Sequence, residues 1–438
     1  MNQIYKPNRP LYLTFVSKLE NLYTMRKILF CVAVLLVTLA SCKTEKKDIV
    51  KDDFDFASKQ LIFAMTEVSK AIEEESPESR EKRKKKNLGP LVNPRTINPD
   101  GKLSLVASRD WTSGFFPGEL WYMYEYIKDK KWEAAARKYT DPLEREKTNG
   151  GTHDMGFKVY CSFGNGYRLT KDENYKKILL ESAYTLTTRY QPNAKIIRSW
   201  DHSGDKWKCP VIIDNMMNLE LLFWAFSESK DSLFYDIAVN HAQTTIKNHF
   251  REDYSSYHVI DYDTITGAVI NKHTHQGYSH SSAWARGQAW AVYGYTMCYR
   301  ETKLPEFLEQ AKNIANYIFT HPNLPEDLIP YWDFNAPEIP NEPRDVSAAT
   351  VTASALYELS TYDKENSPKY LNWANTMMDN LSKNYLAKVE EDRGFLLLHS
   401  TGSKPSNLEV DVPLVYADYY FLEALLRKQQ LEQTGKLF

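Results

Sequence analysis

Two aspartates set among apolar residues carry the strongest chemical signal in the chain. Asp214 stands in VIIDNMMNLELLFWA (211–225), and Asp154 stands in THDMGF (152–157). Burial and a like charge nearby favour the protonated form of a carboxyl group, which can then donate a proton near neutral pH. Helix capping is the competing reading, because an aspartate before an apolar run accepts hydrogen bonds from first-turn amides. A second dense stretch, HTHQGYSHSSAWARGQAW (273–290), gathers His275, Gln276, Trp284, Arg286 and Trp290 in one loop and helix start. Its arginine offers a planar fork suited to a carboxylate, and its tryptophans offer faces for sugar rings. His273, His275 and His280 raise the question of a metal. H-x-H spacing without a third ligand at a usual interval is weak, so none is expected. No GxxxxGK phosphate loop and no GxSxG nucleophile elbow occurs in the sequence.

These residues need elements to hold them. Apolar, aromatic-rich segments of helical period begin near Trp111, Met155, Asn215, Trp284, Val346 and Pro413. Acidic residues precede most of these starts: Asp110, Asp154, Asp214, Asp345 and Asp411. Capping explains Asp110 and Asp345 better than catalysis does. Between the starts lie stretches with one apolar face, at 173–190, 232–250, 305–320, 367–387 and 54–73, with the weakest pattern around 131–139. Helices that alternate between all-round and one-face apolar character predict an inner and an outer ring. The expected fold is all-α, a single (α/α)6 barrel over 54–438, whose inner-helix starts share one rim around a cup. Asp154 and Asp214 then stand on neighbouring inner helices. The one clear strand signal, SYHVIDYDTITGAVINKH (256–273), predicts a β-hairpin inserted at that rim.

The chain has 438 residues with 55 basic and 57 acidic ones, a balance that argues against a nucleic-acid partner. Residues 1–42 read as a signal segment. Met25, Arg26 and Lys27 precede the apolar run ILFCVAVLLVTLA, and LASC ends at Cys42. That pattern resembles a bacterial lipoprotein signal, with Cys42 lipidated and residues 1–24 left by an early start codon. An exported protein of the periplasm or cell envelope is expected, touching the membrane only through this anchor, with 43–53 as a tether. Cys161, Cys209 and Cys298 remain; they lack CxxC spacing and read as buried apolar residues. The charge run EEESPESREKRKKKNLGP (73–90) reads as a solvated loop rather than a site for a sulfated polymer. The assembly expected is a monomer or weak homodimer.

DWTSGFFPGELWYMYE (110–125), THDMGF (152–157), IIDNMMNLELL (212–222), HQGYSHSSAWARGQAW (275–290) and EVDVPLVYADYYFLEAL (409–425) together resemble glycoside hydrolase family 88, the unsaturated glucuronyl hydrolases. The likeness runs from about residue 55 to the C-terminus, and the family fold is an (α/α)6 barrel. The resemblance implies that Asp214 is the general acid/base and Asp154 the second essential aspartate. It places His258, Gln276, Trp284, Arg286 and Trp290 against substrate and Trp111 at the opening of the cup, with His153 and His275 adjoining. Ser400, Ser403 and Lys404, in HSTGSKPSNLEV (399–410), resemble a loop that some members use to hold a sulfated sugar beyond the cleaved bond.

The implied reaction starts from the oligosaccharides that polysaccharide lyases leave, whose terminal uronic acid has a C4=C5 double bond. Protonation at C4 gives an oxocarbenium-like cation at C5, water adds there, and the hemiketal opens to release the adjoining sugar. No cofactor is expected. Unsaturated rhamnogalacturonyl hydrolases share fold and chemistry, and RGQAW with two aspartates does not exclude them. A non-catalytic glycan-binding lipoprotein is the alternative from a different class, and it has no use for paired aspartates.

Overall fold

The computed structural model describes residues 1–3, 23, 25 and 48–438. Most of the expected signal segment, Cys42 included, and residues 43–47 of the expected tether lie outside the described residues. The chain divides into two units, residues 1–48 and Ile49–Phe438, and the second holds every element named below. Helix α1 (Ile49–Glu73) begins inside the stretch expected to be a tether. Val50, Phe54, Ala57, Leu61, Ala64 and Val68 recur at helical spacing and are buried, so this end of the tether is pulled into the core.

The charge run is not a loop but contains a second helix, α2 (Pro77–Lys85). Ser76 accepts a hydrogen bond from the Ser79 amide and Pro77 opens the first turn, a start signal that the density of charge had masked. Helical hairpins then follow, each an inner helix and an outer one. They are α3 (Phe115–Ile127) with α4 (Lys130–Thr140), α5 (Asn165–Thr170) with α6 (Glu173–Thr187), and α7 (Leu219–Ser229) with α8 (Ser232–His249). Next come α9 (Ala285–Thr302) with α10 (Pro305–Thr320), and α11 (Val346–Tyr362) with α12 (Ser367–Asn384). The last inner helix, α13 (Val415–Thr434), packs on α1. Each inner segment touches the next, and α13 touches α3, which closes the (α/α)6 barrel.

Burial explains the two rings. All residues from Ala285 to Cys298 and from Val346 to Ser360 are buried, so these helices are enclosed all round. Outer helix α10 instead buries only Phe307, Gln310, Ala311, Ile314, Ala315 and Ile318, a single stripe. Cys161, Cys209 and Cys298 are buried and unpaired. The expected hairpin is present as β6 (Val259–Tyr262) and β7 (Val269–His273), and a third strand, β5 (Pro210–Ile212), joins it. A further hairpin, β1 (Leu91–Ile97) with β2 (Leu103–Ala107), escaped the sequence reading. Pro94 and two irregularities hide its alternation, although the turn Asn98-Pro99-Asp100-Gly101 was a usable signal, with Gly101 at φ +76°. A short pair, β3 (Tyr190–Gln191) and β4 (Ile196–Ile197), completes the strands.

Glu119 on α3 lies near Asp418 on α13, both fully buried. Burial first, then Asp418, pushes the Glu119 carboxyl well above the usual carboxylate range. Asp418 accepts the Leu396 and Leu397 amides at 2.8 and 3.0 Å, whereas Oε1 of Glu119 has no partner, so Glu119 holds the proton. The folded state binds a proton that the unfolded chain gives up. Its stability is therefore greatest below the ordinary glutamate pKa and declines as pH rises toward the folded one. Asp418, raised by burial to about 8, keeps its own share of that decline, and Glu119→Gln removes the rest. Its melting temperature is expected to gain on the wild type by ~2 °C or more between about pH 5 and pH 8. Parallel melting curves across that range would contradict the assignment.

Candidate active site

Strand pairing builds the first half of the site. Ile212 of β5 pairs with Val259 of β6, and one step on the Ile213 amide donates to the His258 carbonyl at 3.1 Å. The chain then turns into a 3-10 segment, Ile213–Asn218, which leads into α7. That register sets Asp214 beside His258, with Oδ2 3.5 Å from Nε2. His258 Nδ1 accepts the amides of His275 and Gln276 at 3.1 and 3.0 Å. A ring nitrogen that accepts carries no hydrogen, so the proton of the neutral ring sits on Nε2, facing Asp214. Asp214 is 8% exposed, and its Oδ2 is enclosed without a hydrogen-bond partner. Its side chain caps no helix amide. The capping explanation therefore fails for Asp214.

Asp154 is held differently. The Thr152 hydroxyl donates to its Oδ2 at 2.6 Å, and His153 Nε2 lies 3.2 Å from its Oδ1. Ser199 stitches the two aspartate segments together. Its carbonyl accepts the His153 amide at 3.2 Å, and its Oγ accepts the Ile212 amide at 3.0 Å. Below Asp154 the chain runs as a π-helix, Gly156–Gly164, before α5. Such i→i+5 turns concentrate at functional sites. A Cβ on Gly156 would lie 2.7 Å from the Asn218 Cα, while Asn218 Oδ1 accepts the Phe157 amide at 3.2 Å. Only glycine allows the Asp154 segment to sit this close to the Asp214 segment. Lys158, wholly buried in the π-helix, lies 3.5 Å from Glu146. Burial lowers its pKa against the pull of Glu146 and Asp154.

Arg286 departs from the expectation of a free fork aimed at substrate. It is 1% exposed, donates to Asp345 Oδ2 at 2.5 Å, and holds the Thr401 and Gly402 carbonyls at 2.6 Å each. Burial opposes its charge, but Tyr416, Asp345 and Asp214 outweigh that and hold its pKa above the ordinary value. Asp345 is thus the buried counter-ion of Arg286, which corrects its reading as a cap. Of the acidic helix starts, Asp110 does cap, accepting the Thr112 amide at 2.9 Å.

The same anchor ties the loop at 399–410 to the site. Gln276 Nε2 donates to the Gly402 carbonyl at 3.1 Å. The hydroxyls of Ser400 and Ser403 are buried without partners. Lys404 pairs with Glu342, which also accepts the Trp332 indole at 2.9 Å, so the lysine is not a free charge.

The tryptophans separate by depth. Trp290 is 0% exposed, packed on Phe157 and Tyr420, and offers no face for a sugar. Trp284 is 3% exposed, its ring covered by His258 at 4.6 Å and by the Arg286 guanidinium at 4.5 Å. Trp284 stands at the start of α9 and Trp290 lies inside it. Trp111 is half-buried against Phe115, Phe157 and Tyr416. Half-buried Trp200 was missed by the sequence reading. It stacks on His202, with ring centres 5.3 Å apart, and lies 5.9 Å from His275. The polar and aromatic run SWDHSGDKW (199–207) was the available signal. Burial, then His258, lowers the His275 pKa to about 4, so His275 is neutral near pH 7.

The site thus holds two carboxylates in unlike settings, one unbonded and enclosed, one hydrogen-bonded. A model of Glycosyl Hydrolase Family 88 matches residues 92–421. An unsaturated glucuronyl hydrolase of Formosa agariphila is 48% identical over 412 residues, 93% of this chain and 99% of that protein. An unsaturated chondroitin disaccharide hydrolase of Streptococcus pyogenes serotype M1 is 33% identical over 341 residues, 76% of this chain and 85% of that protein. The crystal structure of an unsaturated glucuronyl hydrolase specific for heparin superposes with a TM-score of 0.79 and 47% identity, covering 86% of this chain and 98% of that one. With the barrel, the paired aspartates and these matches in agreement, the chain belongs to glycoside hydrolase family 88.

Proposed function

We propose that this protein hydrates the C4=C5 double bond of the unsaturated uronic acid at the non-reducing end of glycosaminoglycan fragments, releasing the adjoining sugar. The observation that carries the reading is the nearly buried Asp214 carboxyl, set beside His258 and used in no helix cap. The substrate bond is a vinyl ether, since the ring oxygen sits on C5. Asp214 gives its proton to C4, which leaves positive charge shared by C5 and the ring oxygen. Asp214, now a carboxylate, takes a proton from the water that adds at C5. The product is a hemiketal; it opens to a ketone, and the anomeric carbon sheds the neighbouring sugar as it becomes an aldehyde. Asp154, fixed by Thr152 and His153, supplies the second negative charge beside the cation. His258 Nε2–H faces Asp214, and Arg286 holds the 399–410 loop beside the site.

Loss of the unsaturated chromophore, followed across lyase-generated chondroitin, hyaluronan and heparin disaccharides, tests the reading. Turnover of at least one glycosaminoglycan fragment is expected. Activity confined to unsaturated rhamnogalacturonyl substrates would replace it.

The loop at 399–410 supports a role in accepting a sulfated neighbour, through the unpartnered Ser400 and Ser403 hydroxyls. Replacing Ser403 and Lys404 by alanine is expected to cost about tenfold in kcat/KM on sulfated disaccharides and little on unsulfated ones. Equal loss on both would show that the loop serves the fold of the site, not its selectivity. The LASC sequence supports lipidation at Cys42 in the cell envelope. Cys42→Ser is expected to move the protein from the membrane fraction to a soluble one, and membrane retention of that variant would contradict the anchor.

A further inference from the structure

The charge run left over from the catalytic reading has a defined place. Helix α2 and the hairpin β1–β2 enclose a groove of about 510 Å³. Ser79, Lys82, Arg83 and Lys86 line it from the helix, and their spacing puts them on one helix face. Leu91, Leu105, Val106 and Ala107 form an apolar floor, and Arg109 closes the far side. Arg83 is consumed by structure, since it binds Glu75 at 2.7 Å and the Gly89 carbonyl at 2.5 Å. Lys82, Lys86 and Arg109 are exposed, and among the described residues they form no ion pair. Basic residues at a helix C-terminus already favour the helix dipole, so charge alone does not define a site. Their convergence with Arg109 over an apolar floor is what a helix dipole does not require.

The groove also reaches the rim of the cup, since Asp110, the residue before Trp111, lines it. Arg109 precedes Asp110 and Trp111, and Arg109 Nη2 lies 3.5 Å from the place that a Cβ on Gly151 would take, three residues before Asp154. Arg95 bridges the two sides of the rim, binding Asp110 at 3.0 Å and Glu409 of the 399–410 loop at 2.9 Å. Arg95 thereby neutralises Asp110, which lines the groove beside Arg109.

We propose that this groove binds the extension of a longer anionic oligosaccharide, sulfated or uronate-bearing, whose terminal unit occupies the cup. The lysines and Arg109 neutralise its charged groups, and the apolar floor receives the faces of its rings. The proposal rests on the reading of the cup as a site for anionic sugars, and it extends that reading to chain length: longer fragments bind tighter than disaccharides.

The test compares two charge reversals of equal size. K82E/K86E strikes the groove, while K84E/K85E alters the same helix at positions that do not line it. Calorimetric titration at physiological salt with a sulfated heparin-type hexasaccharide lacking the double bond reads the groove without the reaction. Affinity is expected to fall about tenfold for K82E/K86E and to change less than about twofold for K84E/K85E. Turnover of an unsaturated disaccharide is expected to be the same for both variants and the wild type. Equal weakening by both reversals would mean a general field and no groove. Unchanged hexasaccharide binding would overturn the proposal, as would loss of binding only to phosphatidylglycerol vesicles, which would make the groove a membrane contact. A wild type that binds the hexasaccharide through Lys82 and Lys86 but turns over no disaccharide would instead strike the catalytic reading alone.

Discussion

Asp214→Asn is expected to leave the barrel folded and to reduce kcat by at least about a hundredfold, the usual scale for losing a general acid/base. The carboxamide matches the carboxyl in size, and Asp214 caps no helix whose start the change would weaken. Its Oδ2 accepts no hydrogen bond from the protein, so no structural contact is lost. What disappears is a proton that can be given and taken back. Circular dichroism and thermal melting should match the wild type within a few degrees while chromophore loss stops. An active Asp214→Asn enzyme would mean that the proton comes from elsewhere.

Asp345→Ala is expected to be the most destabilising single change at the site. Arg286 would keep a charge inside the barrel with its counter-ion gone, and breaking a buried pair from one side costs roughly 3–5 kcal/mol. The pair is 1% and 0% exposed, so solvent screens almost none of that cost. The damage should spread along the bonds that Arg286 makes. Thr401 and Gly402 are held by its guanidinium, so the 399–410 loop loosens and KM rises on sulfated and unsulfated substrates alike. Arg286→Lys is milder and still informative: it keeps the charge but cannot hold Asp345 and two carbonyls in one plane. Denaturant titration of Asp345→Ala within about 1 kcal/mol of the wild type would show that Arg286 is stabilised by other means.

The barrel was legible because inner and outer helices bury different fractions of their surface, and burial leaves a period in the sequence. The rim aspartates were legible because carboxyl groups are rare beside apolar runs. What the sequence withheld was pairing. Asp345 looked like a cap because a cap and a counter-ion occupy the same place before a helix; only the position of Arg286 separates them. The pairing of Lys404 with Glu342 stayed hidden because the two are far apart in sequence. Trp290 read as a stacking platform because side-chain type does not reveal depth along the barrel axis, and its ring packs on Phe157 and Tyr420. The third strand was hidden because β5 is only three residues long. Yet its register is what sets His258 against Asp214.

The central claim is that water adds to the C4=C5 double bond and that the glycosidic bond breaks afterwards. An unsaturated uronide joined to its neighbour through carbon in place of the anomeric oxygen separates these events, because nothing can leave from such a substrate. Absorbance of the conjugated double bond, followed with wild type and Asp214→Asn, is the measurement. Hydration predicts that the wild type bleaches the chromophore without releasing a sugar and that Asp214→Asn leaves it intact. A chromophore that persists with active wild-type enzyme, while the oxygen-linked substrate is cleaved normally, would place the first step at the anomeric carbon and contradict the account.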